Sequence, residues 1–201
     1  MKKLIYILAG ALTLLSCQKN DPDDLFGKTP SERFDEKQSE LRNALTSASQ
    51  GWKLTYFTKE GTFGGYHFLM KFTPEGLVTM VSDFSSSTIS ATTSKYELQQ
   101  GQGVKLTFTT KTYIHELSDA IQGQRGAGYA GEYQFLYYGK EGDKLKFKTQ
   151  RKSTEQFVYF EPATAQDWTD ISTLSSNLNA LAENISNYYM EVTANGNTIP
   201  Y

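Results

Sequence analysis

Eight short stretches between Gly51 and Glu161 alternate apolar with polar residues, and this pattern constrains the fold more than any other feature. Successive side chains of a β-strand point to opposite faces, so such alternation predicts strands with one buried face. Thirteen tyrosines and twelve phenylalanines in 201 residues also favour strands over a helical bundle. The predicted strands are Trp52–Thr58, Gly65–Thr73, Leu77–Phe84, Thr92–Gln99, Val104–Lys111, Gly131–Tyr138, Lys144–Arg151 and Gln156–Glu161.

Turn-forming residues separate several of these strands by only a few positions, as at Pro74-Glu75-Gly76, Gly101-Gln102-Gly103 and Glu141-Gly142-Asp143. Connections this short join antiparallel neighbours. We therefore expect a mainly β (α+β) protein: an antiparallel up-and-down meander of about eight strands, curled or barrel-like. A closed barrel and an open, curled sheet are both compatible with the pattern. Eight strands in a closed barrel would leave an interior filled by side chains or holding one small ligand.

One helix is predicted on each side of the strands. Thr29, Pro30 and Glu32 form a helix start, and apolar residues then recur at helical spacing, so we expect a helix over Pro30–Ala48. Thr164 and Asp167 resemble a capping pair at the start of a second helix. This helix carries an apolar stripe that predicts packing against the core, with an oligomer seam as the alternative. The stripe consists of Trp168, Ile171, Leu174, Leu178, Leu181 and Ile185.

The predicted domain of helix, sheet and helix spans residues 29–186, and residues 187–201 begin a further hairpin. Asn195-Gly196 is a strong hairpin turn. Because the sequence stops inside that hairpin, we expect it to be part of a longer chain.

The N-terminus has the form of an export signal. Lys2 and Lys3 precede a predominantly apolar run of twelve residues at 4–15, which is too short for a spanning helix of ~20 residues. Leu14-Leu15-Ser16-Cys17 resembles the lipobox of bacterial lipoproteins, in which cleavage precedes the cysteine and its sulfur carries lipid. We therefore expect residues 1–16 to be a signal peptide, Cys17 to be lipidated, and residues 17–28 to form an acidic, flexible tether.

Charge and cysteine content exclude several classes of function. The formal net charge of −2 gives no reason to bind nucleic acid. A single cysteine cannot form an internal disulfide, and lipidation would remove its thiol from redox and metal chemistry.

No convergent catalytic or metal-binding set emerges from the spacing. The two histidines, His67 and His115, could hold a metal with a carboxylate, but nothing in their spacing selects this. Asp83 and Asp119 are candidate acids by position only. Glycines at 123–131 precede a strand, whereas a phosphate-binding loop precedes a helix. We expect no cofactor, no metal site and no catalytic residue.

The connection at 112–130 is the best place in the sequence for a ligand site. Connections this long in compact domains are usually functional or mobile. It carries four residues suited to hydrogen bonding and amphipathic contact. The ligand-binding candidates are Tyr113, His115, Asp119 and Tyr129.

Several stretches together resemble a family of Bacteroidota lipoproteins built on a domain of unknown function. The most specific is Tyr113-Ile114-His115-Glu116-Leu117-Ser118-Asp119, and Ser82-Asp83-Phe84, Gly51-Trp52-Lys53 and Ser31-Glu32-Arg33 also match. Members of that family tend to be about twice this length, and their genes often lie beside TonB-dependent transporters. The resemblance implies a nutrient-uptake setting, and the acidic residues after Cys17 resemble the surface-export signal of such lipoproteins.

The order of helix, Gly51-Trp52 strand, sheet and closing helix also resembles the calycin plan of lipocalins. In lipocalins, however, one residue separates the glycine from the tryptophan, whereas here they are adjacent. The resemblance therefore does not decide whether the sheet closes into a barrel that holds a ligand.

These observations predict a lipid-anchored outer-membrane accessory protein of a nutrient-uptake system, displayed on the surface, that binds a ligand or protein partner without catalysis. A TonB-dependent transporter or partner lipoprotein is the expected partner. The alternatives are a structural or adhesive surface module, and a hydrolase with a site near the 112–130 loop.

Overall fold

The computed structural model describes residues 27–59, 61–126, 128–150, 155–184, 191–194 and 197–200. The predicted signal peptide, Cys17 and all but the end of the tether lie outside these residues, as does Ile185. The chain divides within its first helix into two compact units, Met1–Glu36 and Lys37–Tyr201.

Three helices and ten strands make up the described part of the chain. The helices are α1 (Pro30–Ser47), α2 (Tyr113–Glu116) and α3 (Ala165–Asn184). The strands are β1 (Trp52–Tyr56), β2 (Tyr66–Phe72), β3 (Leu77–Ser82), β4 (Thr92–Gln100), β5 (Val104–Phe108), β6 (Gln134–Glu141), β7 (Lys144–Thr149), β8 (Phe157–Pro162), β9 (Glu191–Ala194) and β10 (Asn197–Pro200).

Strands β1 to β8 form a closed antiparallel barrel in which each strand pairs with its neighbours in sequence. The barrel closes where β8 returns to β1, with Trp52 opposite Pro162 and Leu54 opposite Phe160. The predicted meander and all eight strands are confirmed, and closure decides between the barrel and the open sheet. Strands β9 and β10 pair separately and antiparallel, and the predicted turn at Asn195-Gly196 lies outside the described residues.

Aromatic rings occupy the interior of the barrel. Phe147 lies 4.6 Å from Phe160 and 6.5 Å from Phe135, measured between ring centroids, and Tyr56 lies 5.9 Å from Phe135. All four side chains are fully buried. Of the two interiors that an eight-stranded barrel allows, this one is filled by side chains.

Helix α1 starts at the predicted cap. The backbone N–H of Thr29 donates to Oε2 of Glu32 at 2.8 Å, and the N–H of Glu32 donates to Oγ1 of Thr29 at 3.3 Å. These reciprocal bonds satisfy two N–H groups that a helix start leaves without partners.

The second half of α1 belongs to the barrel unit. Leu41 and Leu45 are buried. The amide of Gln38 donates to the carbonyl of Leu98 at 2.8 Å, and the indole N–H of Trp52 donates to the carbonyl of Leu45 at 2.8 Å. Trp52 at the start of β1 thus buries its ring and holds the end of α1 through its N–H.

Helix α3 covers the outer face of β2 and β3. Ile171 joins a buried cluster with Leu69 and Val81, and Trp168 packs against it. The predicted core-facing stripe is therefore correct for these two positions. It is wrong for Leu174 and Leu181, which are 40% and 56% exposed. Beyond Ile171 the helix still buries Ser175, and the side chain of Leu178 lies outside the described residues.

Candidate functional site

The connection between β5 and β6 is a structured cap and contains a short helix that the sequence pattern did not predict. Helix α2 begins just after Thr112, and its Ile114 is fully buried, as is the following Leu117. The N–H of Gly131 donates to the carbonyl of Leu117 at 2.8 Å. This bond joins the end of the connection to the residue that follows α2. Strand β6 then begins at Gln134, three residues later than predicted.

His115 is fixed by backbone groups on both sides of its ring. Its Nδ1 accepts from the N–H of Thr112 at 3.1 Å, so Nε2 carries the proton and donates to the carbonyl of Phe108 at 3.1 Å. The ring stacks on Tyr133 with a centroid distance of 4.5 Å. Burial lowers the pKa of His115, and its backbone bonds partly offset this. The imidazole is therefore neutral near pH 7 and both its nitrogens are occupied.

An open cleft of about 600 Å³ lies beside this histidine. His115 and Tyr133 give it a flat surface, and Lys111 and Asp119 give it charges of opposite sign. Asp119 also accepts the N–H of Ile121 at 3.0 Å, which fixes its carboxylate. The cleft offers hydrogen bonds, one charge of each sign and a stacking surface. Its lining is Thr107, Phe108, Thr109, Lys111, His115, Ser118, Asp119 and Tyr133.

The structure brings together only two of the four predicted ligand-binding residues, His115 and Asp119. The hydroxyl of Tyr113 instead donates to the carbonyl of Ser90 at 2.7 Å, fixing α2 to the β3–β4 loop. Tyr129 packs edge-on against three other aromatic rings. Its partners are Phe63, Tyr66 and Phe84, at 5.5, 6.0 and 5.1 Å. Tyr113 and Tyr129 thus hold loops in place and do not line the cleft beside His115.

A second polar arrangement joins His67 to Asp83, two residues that the sequence pattern does not connect. Asp83 is buried and accepts from the backbone N–H of His67 at 2.8 Å, and its other oxygen lies 2.6 Å from Nδ1 of the same residue. The strand register could have predicted this pair, because Phe68 faces Ser82 and His67 and Asp83 come next. The carboxylate extends the ladder between β2 and β3 by one step and orients the imidazole.

Neither histidine belongs to a metal site in the part of the chain that the structure describes, where no three His, Cys, Asp or Glu side chains converge. Over the same residues, no helix is both long and apolar enough to cross a bilayer.

The fold and the cleft define a closed, ring-filled antiparallel barrel that carries its polar clefts on the outside. A family model described as a domain of unknown function (DUF4302) matches residues 22–200, and the chain belongs to this family. No curated protein and no solved structure matches the chain.

Proposed function

We propose that this protein is a lipid-anchored accessory protein of an outer-membrane nutrient-uptake system that binds a ligand or protein partner without catalysis. The observation that carries the proposal is the state of His115 in the open cleft beside the β5–β6 connection. Both its ring nitrogens are bonded to backbone groups, while its face and the neighbouring Lys111 and Asp119 border the cleft.

This geometry favours binding over catalysis. A general base must reach the proton that it removes, and Nδ1 of His115 already accepts from Thr112. Protonating His115 would break that bond inside a partly buried site. The flat His115–Tyr133 stack, flanked by Lys111 and Asp119, instead suits a partner's polar side chains and exposed peptide groups. A hydrolase near the 112–130 loop is therefore the weaker alternative.

The anchor rests on the sequence. Lys2 and Lys3, the apolar run at 4–15 and Cys17 have the composition and order of a lipoprotein signal. Two or more acyl chains on Cys17 would give stable attachment, since each buried CH₂ contributes ~0.8 kcal/mol. The acidic residues that follow support display at the cell surface.

Metabolic labelling with a palmitate analogue tests the anchor. Cys17→Ala should abolish the label and release the protein from the membrane fraction. Ser16→Ala, which keeps the thiol, should retain both. A Cys17→Ala protein that remains in washed membranes would contradict the proposed attachment.

Cross-linking in intact outer membranes tests the partner. The wild-type protein should be recovered with a TonB-dependent transporter or a second lipoprotein. The double variant Lys111→Ala/Asp119→Ala should reduce that yield about tenfold, as expected if the binding free energy falls by ~1.4 kcal/mol. The matched control Lys95→Ala/Asp143→Ala removes one exposed charge of each sign elsewhere and should have no effect. Equal recovery of both variants would instead favour a structural or adhesive module.

A further inference from the structure

A group of aromatic side chains lies on the outside of the barrel, where β8 meets β1. Val158 and Phe160 of β8 face the interior, so the alternating Phe157 and Tyr159 face outward. Phe57, just after β1, is 55% exposed. Together these rings line a cleft of about 230 Å³, here called the outer aromatic cleft. Its full lining is Thr55, Phe57, Gln156, Phe157, Val158, Tyr159 and Glu161.

Contacts on the protein side hold these rings in place. The ring of Phe157 meets Tyr138 edge-on at 5.2 Å, and the ammonium group of Lys146 lies 4.7 Å from the centre of Phe157. The same ammonium lies 5.6 Å from the ring of Tyr159. The amide of Gln156 donates to the carbonyl of Phe57, which ties the end of β1 to β8. A ligand would therefore meet a surface that is already ordered and would lose little affinity to ordering it.

Each lysine of β7 beside the cleft is paired with its own glutamate. Lys144 lies 2.5 Å from Glu161, and Lys146 lies 3.0 Å from Glu141. Lys148 pairs with Glu155. The charges around the cleft thus compensate each other, so a strongly anionic or cationic ligand would have to break an existing pair. This charge balance favours a neutral ligand.

The polar groups of the lining suit a ligand with many hydroxyls. The Thr55 hydroxyl, the Gln156 side-chain oxygen and the Glu161 carboxylate can all accept hydrogen bonds. The three rings offer apolar faces beside them. A sugar ring has the matching character, with an apolar C–H face and a polar hydroxyl edge, and aromatic rings attract polarised C–H groups through their negative faces. The volume is below the ~300–1,000 Å³ of drug-sized pockets, which suits a single ring.

We propose that the outer aromatic cleft binds one pyranose ring of a neutral glycan, with the sugar's C–H face on Phe57 and Phe157 and its hydroxyls toward Thr55, Gln156 and Glu161. This inference rests on the proposed function only in treating the protein as a binding protein. The outer aromatic cleft shares no residue with the cleft beside His115, so a glycan and a protein partner can bind at different places.

Calorimetric titration of the purified protein tests the proposal, with maltohexaose, cellohexaose, mannohexaose and xylohexaose as neutral probes and polygalacturonate as the anionic one. At least one neutral hexasaccharide should bind with a Kd at or below about 1 mM, equivalent to about −4 kcal/mol. Phe57→Ala should weaken that binding about tenfold or more, whereas Phe57→Tyr, which keeps an aromatic ring, should bind as well as the wild type.

Leu77→Ala, which removes another exposed apolar side chain, should leave the affinity unchanged. Because Phe57 is exposed, its variants should keep the wild-type melting temperature. Phe157→Ala should also weaken binding, and its result counts only if its melting temperature equals that of the wild type. The proposal is overturned if no neutral hexasaccharide binds, if Phe57→Ala binds as well as wild type, or if only polygalacturonate binds. None of these outcomes alters the lipid labelling or the cross-linking that test the proposed function.

Discussion

Replacing Asp167 with asparagine tests how helix α3 is attached to the barrel. One carboxylate oxygen of Asp167 accepts from Nζ of Lys53 on β1 at 2.8 Å. The other accepts from the backbone N–H of Thr164 at 2.8 Å and from its hydroxyl at 2.7 Å. One side chain thus caps the helix and links it to the barrel, as the predicted Thr164–Asp167 pair required.

The size of the effect follows from the pKa of this carboxyl. Burial raises the pKa of Asp167, but the hydrogen bonds from Lys53 and Thr164 lower it further, so that it falls from 3.8 to about 2. At about 1.36 kcal/mol for each pKa unit, this gives roughly 2 kcal/mol of stability, reduced to roughly 1–2 kcal/mol by solvent screening. Because the folded state lowers the pKa, this contribution is complete above about pH 4 and disappears as the pH falls through about 2.

Urea unfolding at neutral pH and near pH 2 measures this difference. Asp167→Asn should lose roughly 1–2 kcal/mol at neutral pH and much less near pH 2, where about half of wild-type Asp167 is protonated. Asp170→Asn is the matched control, since Asp170 is exposed on the same helix and bonds only the nearby Gln166 in the described structure. An Asp167→Asn variant as stable as wild type at neutral pH, or one with the same deficit at both pH values, would refute the reasoning.

Two further predictions concern the backbone at Gly51 and the partly buried His115. Gly51→Ala should destabilise by at least about 2 kcal/mol in urea unfolding, because φ is +74° and a Cβ would lie 2.2 Å from a carbonyl oxygen of β2. Gly142→Ala, with φ +64° and no atom within 4 Å of a Cβ, should cost only about 1–2 kcal/mol; equal losses would contradict the close approach at Gly51. For His115, whose pKa is lowered chiefly by burial, the unfolded state binds the proton more readily, so stability should fall as the pH drops below about 6.5. His115→Gln should reduce that slope, and an unchanged slope would show that His115 does not cause it.

The fold was largely predictable because alternation and turn chemistry carry the same information. Leu145 and Phe147 are buried, and Lys144, Lys146 and Lys148, which alternate with them, face outward, as a period of two requires. Glycine turns set the strand pairing, and pairing in order leaves few topologies. Closure between β1 and β8 was not predictable in this way, because it depends on sheet twist and on pairs more than a hundred residues apart.

The candidate site was less predictable because it depends on contacts between distant segments. The spacing placed Tyr113, His115, Asp119 and Tyr129 in one connection, but α2 and the aromatic ring contacts send them to three different places. A four-residue helix is too short to produce a periodic pattern. The pairing of His67 with Asp83 follows from the register of β2 and β3, in which the neighbouring Phe68 and Ser82 lie opposite each other.

The filled interior changes which residues can carry the function of this barrel. Tyr137 and Tyr138 are neighbours in β6, yet Tyr137 is buried and bonds Glu40 at 3.0 Å, whereas Tyr138 is 51% exposed beside Phe157. Since inward positions are occupied by rings that support one another, substitutions there act first on stability. Outward positions of the same strands contribute little to the core and remain available for recognition. In this barrel, binding is therefore expected on the outer faces of the strands and in the connections between them. Phe57 and Phe157 satisfy this expectation, because both belong to an ordered aromatic surface on the outside of the barrel.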